Sequence, residues 1–226
     1  MAKKTNKTED QFAQVEEALT KTEQYIEDNQ KNLIRIVGVI VGAIALVIGF
    51  QNLYIEPLEK EAQIDIYMAE LYFQQDSFNL ALNGDGQYLG FVDVSDEYNW
   101  TKVGELANYY AGLCYLHLGE FGSAIEYLED FSSDDIILST LALGCIGDAY
   151  MELGDTDNAL NSYEDATYNS ENEFTKPIYM FKQAMIHEQN GDYDDALEIY
   201  NDIKLNFKTS REANGIERYI SRAENR

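Results

Sequence analysis

Twenty consecutive residues, from Ile36 to Ile55, contain no Asp, Glu, Lys, Arg or His, and the first fifteen, IVGVIVGAIALVIGF, are apolar or Gly throughout. At about 1.5 Å per residue such a run of helix spans the ~30 Å hydrocarbon layer of a bilayer. A single segment can satisfy its own backbone polar groups there only as a helix. The run therefore reads as one transmembrane helix, assigned to residues 33–55, with Tyr54 placed as an interfacial aromatic. A secretory signal peptide is the competing reading. A long segment precedes the run, however, and no small-residue A-x-A site follows Phe50, so the span is expected to remain as an anchor. A buried helix of a soluble protein is a third reading.

Orientation follows from the cations that flank the span. Lys21, Lys31 and Arg35 lie shortly before it, with Lys3, Lys4 and Lys7 further upstream, while Lys60 alone lies within the twenty residues after it. Residues 1–32 are expected in the cytoplasm and residues 56–226 outside it, which in a two-membrane bacterium means an inner-membrane protein with a periplasmic domain. Within the first segment Phe12, Val15, Leu19, Thr22, Ile26, Asn29 and Leu33 recur at alternating spacings of three and four, a heptad-like stripe. It suits either an amphipathic helix leading into the membrane or docking against a neighbouring membrane protein.

The part after the span is strongly acidic: residues 56–226 hold ten Lys/Arg against thirty-four Asp/Glu. Nucleic acid is excluded as a natural partner, since its binding depends on neutralising phosphates with cations. Such a surface keeps a domain soluble, and it also attracts basic segments of other proteins. Cys114 and Cys145 have neither CxxC nor zinc spacing; each sits in an apolar helical stretch, and a disulfide in an oxidising compartment is allowed. His117 and His187 are isolated. No GxSxG, phosphate loop, HExxH or Ser/His/Asp set is present, and carboxylates are too frequent for any pair to carry meaning, so neither enzyme activity nor a cofactor or metal is expected. Asn83-Gly84-Asp85-Gly86 fails the EF-hand register and reads as a helix break.

Internal repetition decides the fold of residues 56–226. A small residue recurs at Ala69, Gly112, Gly147 and Ala184. Three residues later comes Tyr72, Tyr115, Tyr150 or His187; seven later Asp76, Gly119, Gly154 or Gly191; twelve later Ala81, Ala124, Ala159 or Ala196. The pattern resembles the tetratricopeptide repeat, a pair of antiparallel helices in which small residues permit close approach and a Gly ends the first helix. The resemblance implies an all-α solenoid of about four helix pairs, in frames 62–95, 105–138, 140–173 and 177–210, with a capping helix over 211–226. In the first frame the second helix should break at Asn83–Gly86, and QYLGFVDVSDEY is expected to resume helically.

In that family the concave face is lined mainly by the first helix of each repeat. Carried onto this chain, the lining residues expected to hold a partner are Phe73, Tyr109, Leu113, Leu116, Met151, Phe181 and Met185, with Lys and Arg missing from the lining positions. A groove of aromatic and Met side chains with acidic rims suits extended apolar or basic protein segments. Truncation of Tyr109, Leu113 and Phe181 is expected to weaken binding without unfolding the chain.

The whole layout is FAQVEEALTKTEQYIEDNQKNL, one span, then a compact acidic repeat domain. It resembles the ancillary SecYEG translocon subunit family (YfgM-type), down to short V-E-x-L and D-N-x-K-x-L pieces before the span. That resemblance implies association with the SecYEG channel and with a membrane-anchored periplasmic chaperone of the prolyl-isomerase type, and contact with unfolded client segments as they emerge. The alternative is a non-enzymatic scaffold of another envelope assembly, secretion or motility complex.

Overall fold

The computed structural model describes residues 5–168 and 173–226, with side chains described from residue 26 onward except residues 27 and 169–172. Phe12, Val15, Leu19 and Thr22 of the heptad-like stripe thus fall outside the described side chains. The chain divides into two compact units, Met1–Glu56 and Pro57–Arg226. All regular structure is helical, with no strand among the described residues.

The first unit is α1 (Thr5–Phe50) followed by a π-helical turn, Gln51–Ile55. There the Glu56 N–H returns to the Gln51 carbonyl, one residue beyond the α-helical partner. The next residue is Pro57, which has no N–H to contribute to the ladder, and helices commonly widen or kink where a bond is lost in this way. Along the apolar run the side chains are bare: Val39 is 72% exposed and Leu46 76%. An exposed aliphatic surface of this size marks a contact with membrane or protein, as in a membrane anchor or a signal sequence. The only other described helix of comparable length and apolarity is α7, and that one is partly buried inside the second unit.

The second unit is a row of helices: α2 (Glu56–Gln74), α3 (Phe78–Asn83), α4 (Phe91–Glu97), α5 (Lys102–Leu118), α6 (Phe121–Glu129), α7 (Ile136–Leu153), α8 (Thr156–Tyr168), α9 (Lys176–Asn190), α10 (Tyr193–Asn206) and α11 (Glu217–Glu224). From α4 onward each packs mainly on its neighbours in sequence, and α3 packs chiefly on α5. One turn is built four times between first and second helices. Asp76, Gly119, Gly154 and Gly191 adopt φ of 56°, 78°, 77° and 90°. Each N–H donates to the carbonyl three residues back, and the following N–H reaches the carbonyl of Tyr72, Tyr115, Tyr150 or His187 at 2.8–2.9 Å. This is the left-handed helix stop that closes the last orphan carbonyls. Asp76 pays strain there that Gly would not.

The small residues act as contact points. Ala69, Ala81, Ala124, Ala159, Ala184 and Ala196 are all fully buried. A Cβ added at Gly112 would strike the Leu128 side chain, and one at Gly147 the Tyr163 ring. Leu128, Tyr163 and Tyr200 hold the same frame position and are nearly or wholly buried, so close approach at the small residue is what lets a large one fill the pair. Helix starts are set locally: Thr101 Oγ1 accepts from the Gly104 N–H at 2.9 Å, and Asp135 Oδ1 accepts from Ile137 and Leu138 at 2.8 and 3.1 Å, caps worth about 1 kcal/mol each.

Both ends depart from the regular frame. In the first repeat α3 stops at Asn83, since Gly84 has φ 74° and any Cβ there would run into the Tyr88 and Gly90 backbone. Asp85 then organises the break: its Oδ1 accepts from the Gln87 and Tyr88 N–H groups at 2.9 Å and its Oδ2 from Tyr72 at 2.7 Å. The helix resumes as α4, whose fully buried Phe91 stacks on Tyr110 with centroids 5.0 Å apart. At the other end the capping helix is shorter than expected. Residues 211–216 form turns, because Gly215 is left-handed at φ 84° and interrupts the helix, so that α11 begins only at Glu217.

Candidate protein-interaction surface

The first helices α2, α5, α7 and α9 carry the seven residues expected to line a groove, and the packing divides them. Phe73 lies edge-on to Phe78, Tyr110 and Phe91, at 5.5, 5.1 and 6.2 Å. It joins the first repeat to the second. Tyr109 is 8% exposed and packs on Phe131 from the α6–α7 loop, 5.3 Å away; burial pushes its phenol up to about 12. Leu113 and Leu116 are half-buried against the cluster of Ile125, Ala142 and Ile146. Phe181 is covered by α11, with Tyr219 edge-on at 4.8 Å and Tyr200 at 5.8 Å.

Tyr109 and Leu113 therefore belong to the contacts between repeats and Phe181 to the contact with the cap, and their truncation would cost stability. The physical reason is that a frame position fixes the direction of a side chain on its own helix. It does not fix what the next loop or helix brings over it.

Met151 and Met185 stand apart. With Tyr163, Lys182, Ile186 and Gln189 they line a shallow hollow of about 200 Å³ between α7, α8 and α9. Met185 is 46% exposed. Thioether side chains are flexible and adapt to neighbours of irregular shape.

A cation sits at its rim. Lys182 is ion-paired with Asp148 and lies 5.3 and 5.7 Å from the ring centroids of Tyr163 and Tyr179. Tyr163 donates to the same Asp148 Oδ1 at 2.5 Å. Burial, this hydrogen bond and the Asp148 charge all push the Tyr163 phenol up, so it stays a neutral donor. Asp148 thus holds both Tyr163 and Lys182 in place beside the hollow. The same burial raises the Cys145 thiol to about 11, and Cys114, fully buried among the first-repeat residues, to about 12. Both are free thiols.

Glu188 faces the cap. Its two carboxylate oxygens take bonds from Arg222 at 2.5 and 2.6 Å, and Oε2 also accepts from Tyr200 at 3.1 Å. The Arg222 bonds hold the carboxyl below its usual range. A second hollow of about 420 Å³, between Lys102, Leu106, Phe131, Asp134 and Leu138, is more polar, and Glu105 at its edge already accepts the Ser132 N–H. Among the described residues no group of His, Cys, Asp and Glu is arranged to hold a metal.

The repeated turn, the Ala and Gly contacts and the helix pairing agree with one sequence comparison. Residues 146–209 match the tetratricopeptide repeat family. The match runs from within α7 to just past α10, the part that contains the Met151–Met185 hollow. Tetratricopeptide repeats mediate protein–protein interaction and are in general non-catalytic scaffolds. No curated protein matches the chain.

Sequence reasoning missed Lys182, which lies one position after an expected lining residue, and Tyr163, which comes from a second helix. An aromatic recurring at Tyr163 and Tyr200 in matching frames was the available signal for the latter.

Proposed function

We propose that this chain is a membrane-anchored adaptor or co-chaperone of the Sec translocon in the bacterial inner membrane. The Ile36–Ile55 segment anchors it with its N-terminus in the cytoplasm, and the repeat unit in the periplasm holds a protein partner. The observation that carries this reading is the half-open Met151–Met185 hollow on a unit with thirty-three acidic and ten basic side chains, next in sequence to an unburied apolar helix. A partner segment with one aliphatic or aromatic anchor flanked by Lys or Arg matches both features. Segments of this kind are common in secreted chains before they fold, and a membrane-proximal acidic surface would hold them apart from one another. The SecYEG channel and a prolyl-isomerase-type periplasmic chaperone are the proposed stable partners.

Purification of the tagged chain from native membranes in a mild detergent, with mass spectrometry of what accompanies it, tests the reading. Co-recovery of SecYEG and a periplasmic chaperone is the expected result. Recovery of a different envelope assembly would replace it by a scaffold role, a reading supported by the near-identical turns of the four repeats.

A further inference from the structure

Each second helix runs back along its first helix, so the first helices of the repeat unit begin on one edge and the four helix-stop turns lie on the other. Contacts within the unit join the first edge from repeat to repeat. Glu59 in the first turn of α2 accepts the Lys102 N–H at the start of α5, and Glu105 in the first turn of α5 accepts the Ser132 N–H ahead of α7, both at 2.8 Å. Asp165 in the last turn of α8 shares a hollow with Ser132 and Ser133. Phe174 ahead of α9 shares another with Thr209 and Arg211 beyond α10.

This edge carries large apolar side chains in the open. Trp100 is 69% exposed, Ile136 and Ile137 60% and 47%, Tyr168 87%, Phe174 72% and Leu205 62%. They stand one or two to a corner, where the chain passes between repeats or leaves α10. At three of these corners a cation is close in sequence: Lys102 two residues after Trp100, Lys176 two after Phe174, and Lys204 beside Leu205. Ile136 and Ile137 instead follow Asp134 and Asp135. Six of the unit's ten cations lie along this edge, at Lys60, Lys102, Lys176, Lys204, Lys208 and Arg211. The stretches around the four turns, residues 72–81, 115–124, 150–159 and 187–196, hold nine Asp or Glu and no Lys or Arg.

We propose that the edge on which the first helices begin rests on the headgroup region of the bilayer, its aromatic and aliphatic tips seated among the lipid glycerol and upper acyl groups. The inference rests on the membrane-anchor reading of Ile36–Ile55. Covalent connection brings a bilayer to this edge: α2 begins at Glu56, the residue after the apolar run. The turn edge lies the length of α2 away, about 28 Å for nineteen residues at ~1.5 Å each. Aromatic tips with Lys alongside are the chemistry of the membrane–water interface, where the ring sits at headgroup depth and the amine reaches outward to phosphate. A basic protein segment would not select the edge that holds most of the unit's cations. Single tips at separate corners also do not make the close-packed core of a protein interface, whereas a fluid surface accepts each one by itself.

Trp100 is the chain's single Trp and reports on this edge directly. The full chain is reconstituted in vesicles of phosphatidylethanolamine and phosphatidylglycerol that contain a lipid with a nitroxide near the top of its acyl chain. It is compared with the double variant Trp100→Phe/Leu153→Trp, which moves the fluorophore to an exposed position beside the α7–α8 turn. The expected result is that the nitroxide lipid quenches the wild type roughly threefold more than the double variant, while iodide in the buffer quenches the two in the opposite order. Vesicle flotation after an alkaline carbonate wash reports whether each chain is still inserted. Equal quenching by the lipid, or none, in chains that float would overturn the edge contact and leave the anchor standing. Shielding of Trp100 from both lipid and iodide would overturn it too and assign the edge to a second copy of the chain. Release by the wash would overturn both.

Discussion

The two ends of the repeat unit solve the same problem in opposite ways. A stack of helix pairs leaves an apolar face at each end that no further repeat covers. At the C-terminal end α11 covers it: Ile216, Ile220 and Ala223 are 2%, 5% and 3% exposed, and Arg222 is tied to Glu188. At the N-terminal end α2 leaves Ile64 and Tyr67 in the open. The end that follows the apolar helix in sequence is the uncapped one, and the C-terminal end is closed by α11.

The largest effect is expected from removing the residue that locks the closed end together. Tyr200 is fully buried between α9, α10 and α11, and Tyr200→Ala should cost about 3–5 kcal/mol, read as a lower urea midpoint of the detergent-solubilised full chain. A sharper form of the comparison places one charge at each end. Ile220→Asp, in the cap, should cost about 3 kcal/mol, while Ile64→Asp should stay within about 0.5 kcal/mol in detergent. Equal costs would mean that α2 is covered after all.

Next comes the Glu188–Arg222 contact. Its charge-assisted bonds are half open to solvent on the Arg222 side, and Glu188→Gln should cost about 1–2 kcal/mol. Because the folded carboxyl lies below its ordinary value of 4.5, this contribution is complete above about pH 4.5 and is lost as the pH falls through the lower folded value. The wild type should therefore lose stability relative to Glu188→Gln on acidification below that point, measured by urea titration at a series of pH values. A gain is expected at the open end. Asp76→Gly should raise stability by about 0.5–1 kcal/mol, since Asp76 is the one described non-glycine residue at positive φ.

Much of this contrast was legible in the chain. Asp76, Gly119, Gly154 and Gly191 marked the four turns, since a helix stop needs a left-handed residue, and the buried Ala and Gly positions followed from the same spacing. The break after Asn83 was legible for the same reason. What surrounds each repeat was less so. Phe131 comes from a loop and Tyr219 from the cap, and these two close over Tyr109 and Phe181, turning expected lining into core. Gly215 shortened the cap because a single left-handed residue outweighs the apolar spacing around it. Met151 and Met185 stayed accessible, but Lys182 and Tyr163 entered the site from positions that a first-helix rule does not visit. The position of Ile64 repeats that of the buried Ala107, Ala142 and Tyr179 in later frames, yet only the missing neighbour makes it a surface.

The claim that the hollow between α7, α8 and α9 seats a partner is tested most directly by comparing partner recovery from native membranes for the wild type and Met151→Ser/Met185→Ser. Both are tagged, solubilised identically and quantified by mass spectrometry, with the thermal midpoint of each recorded. The expected result is at least a tenfold loss of the co-purifying partner from a variant that still melts cooperatively. Unchanged recovery with the folded variant would contradict it and move the binding surface elsewhere on the chain.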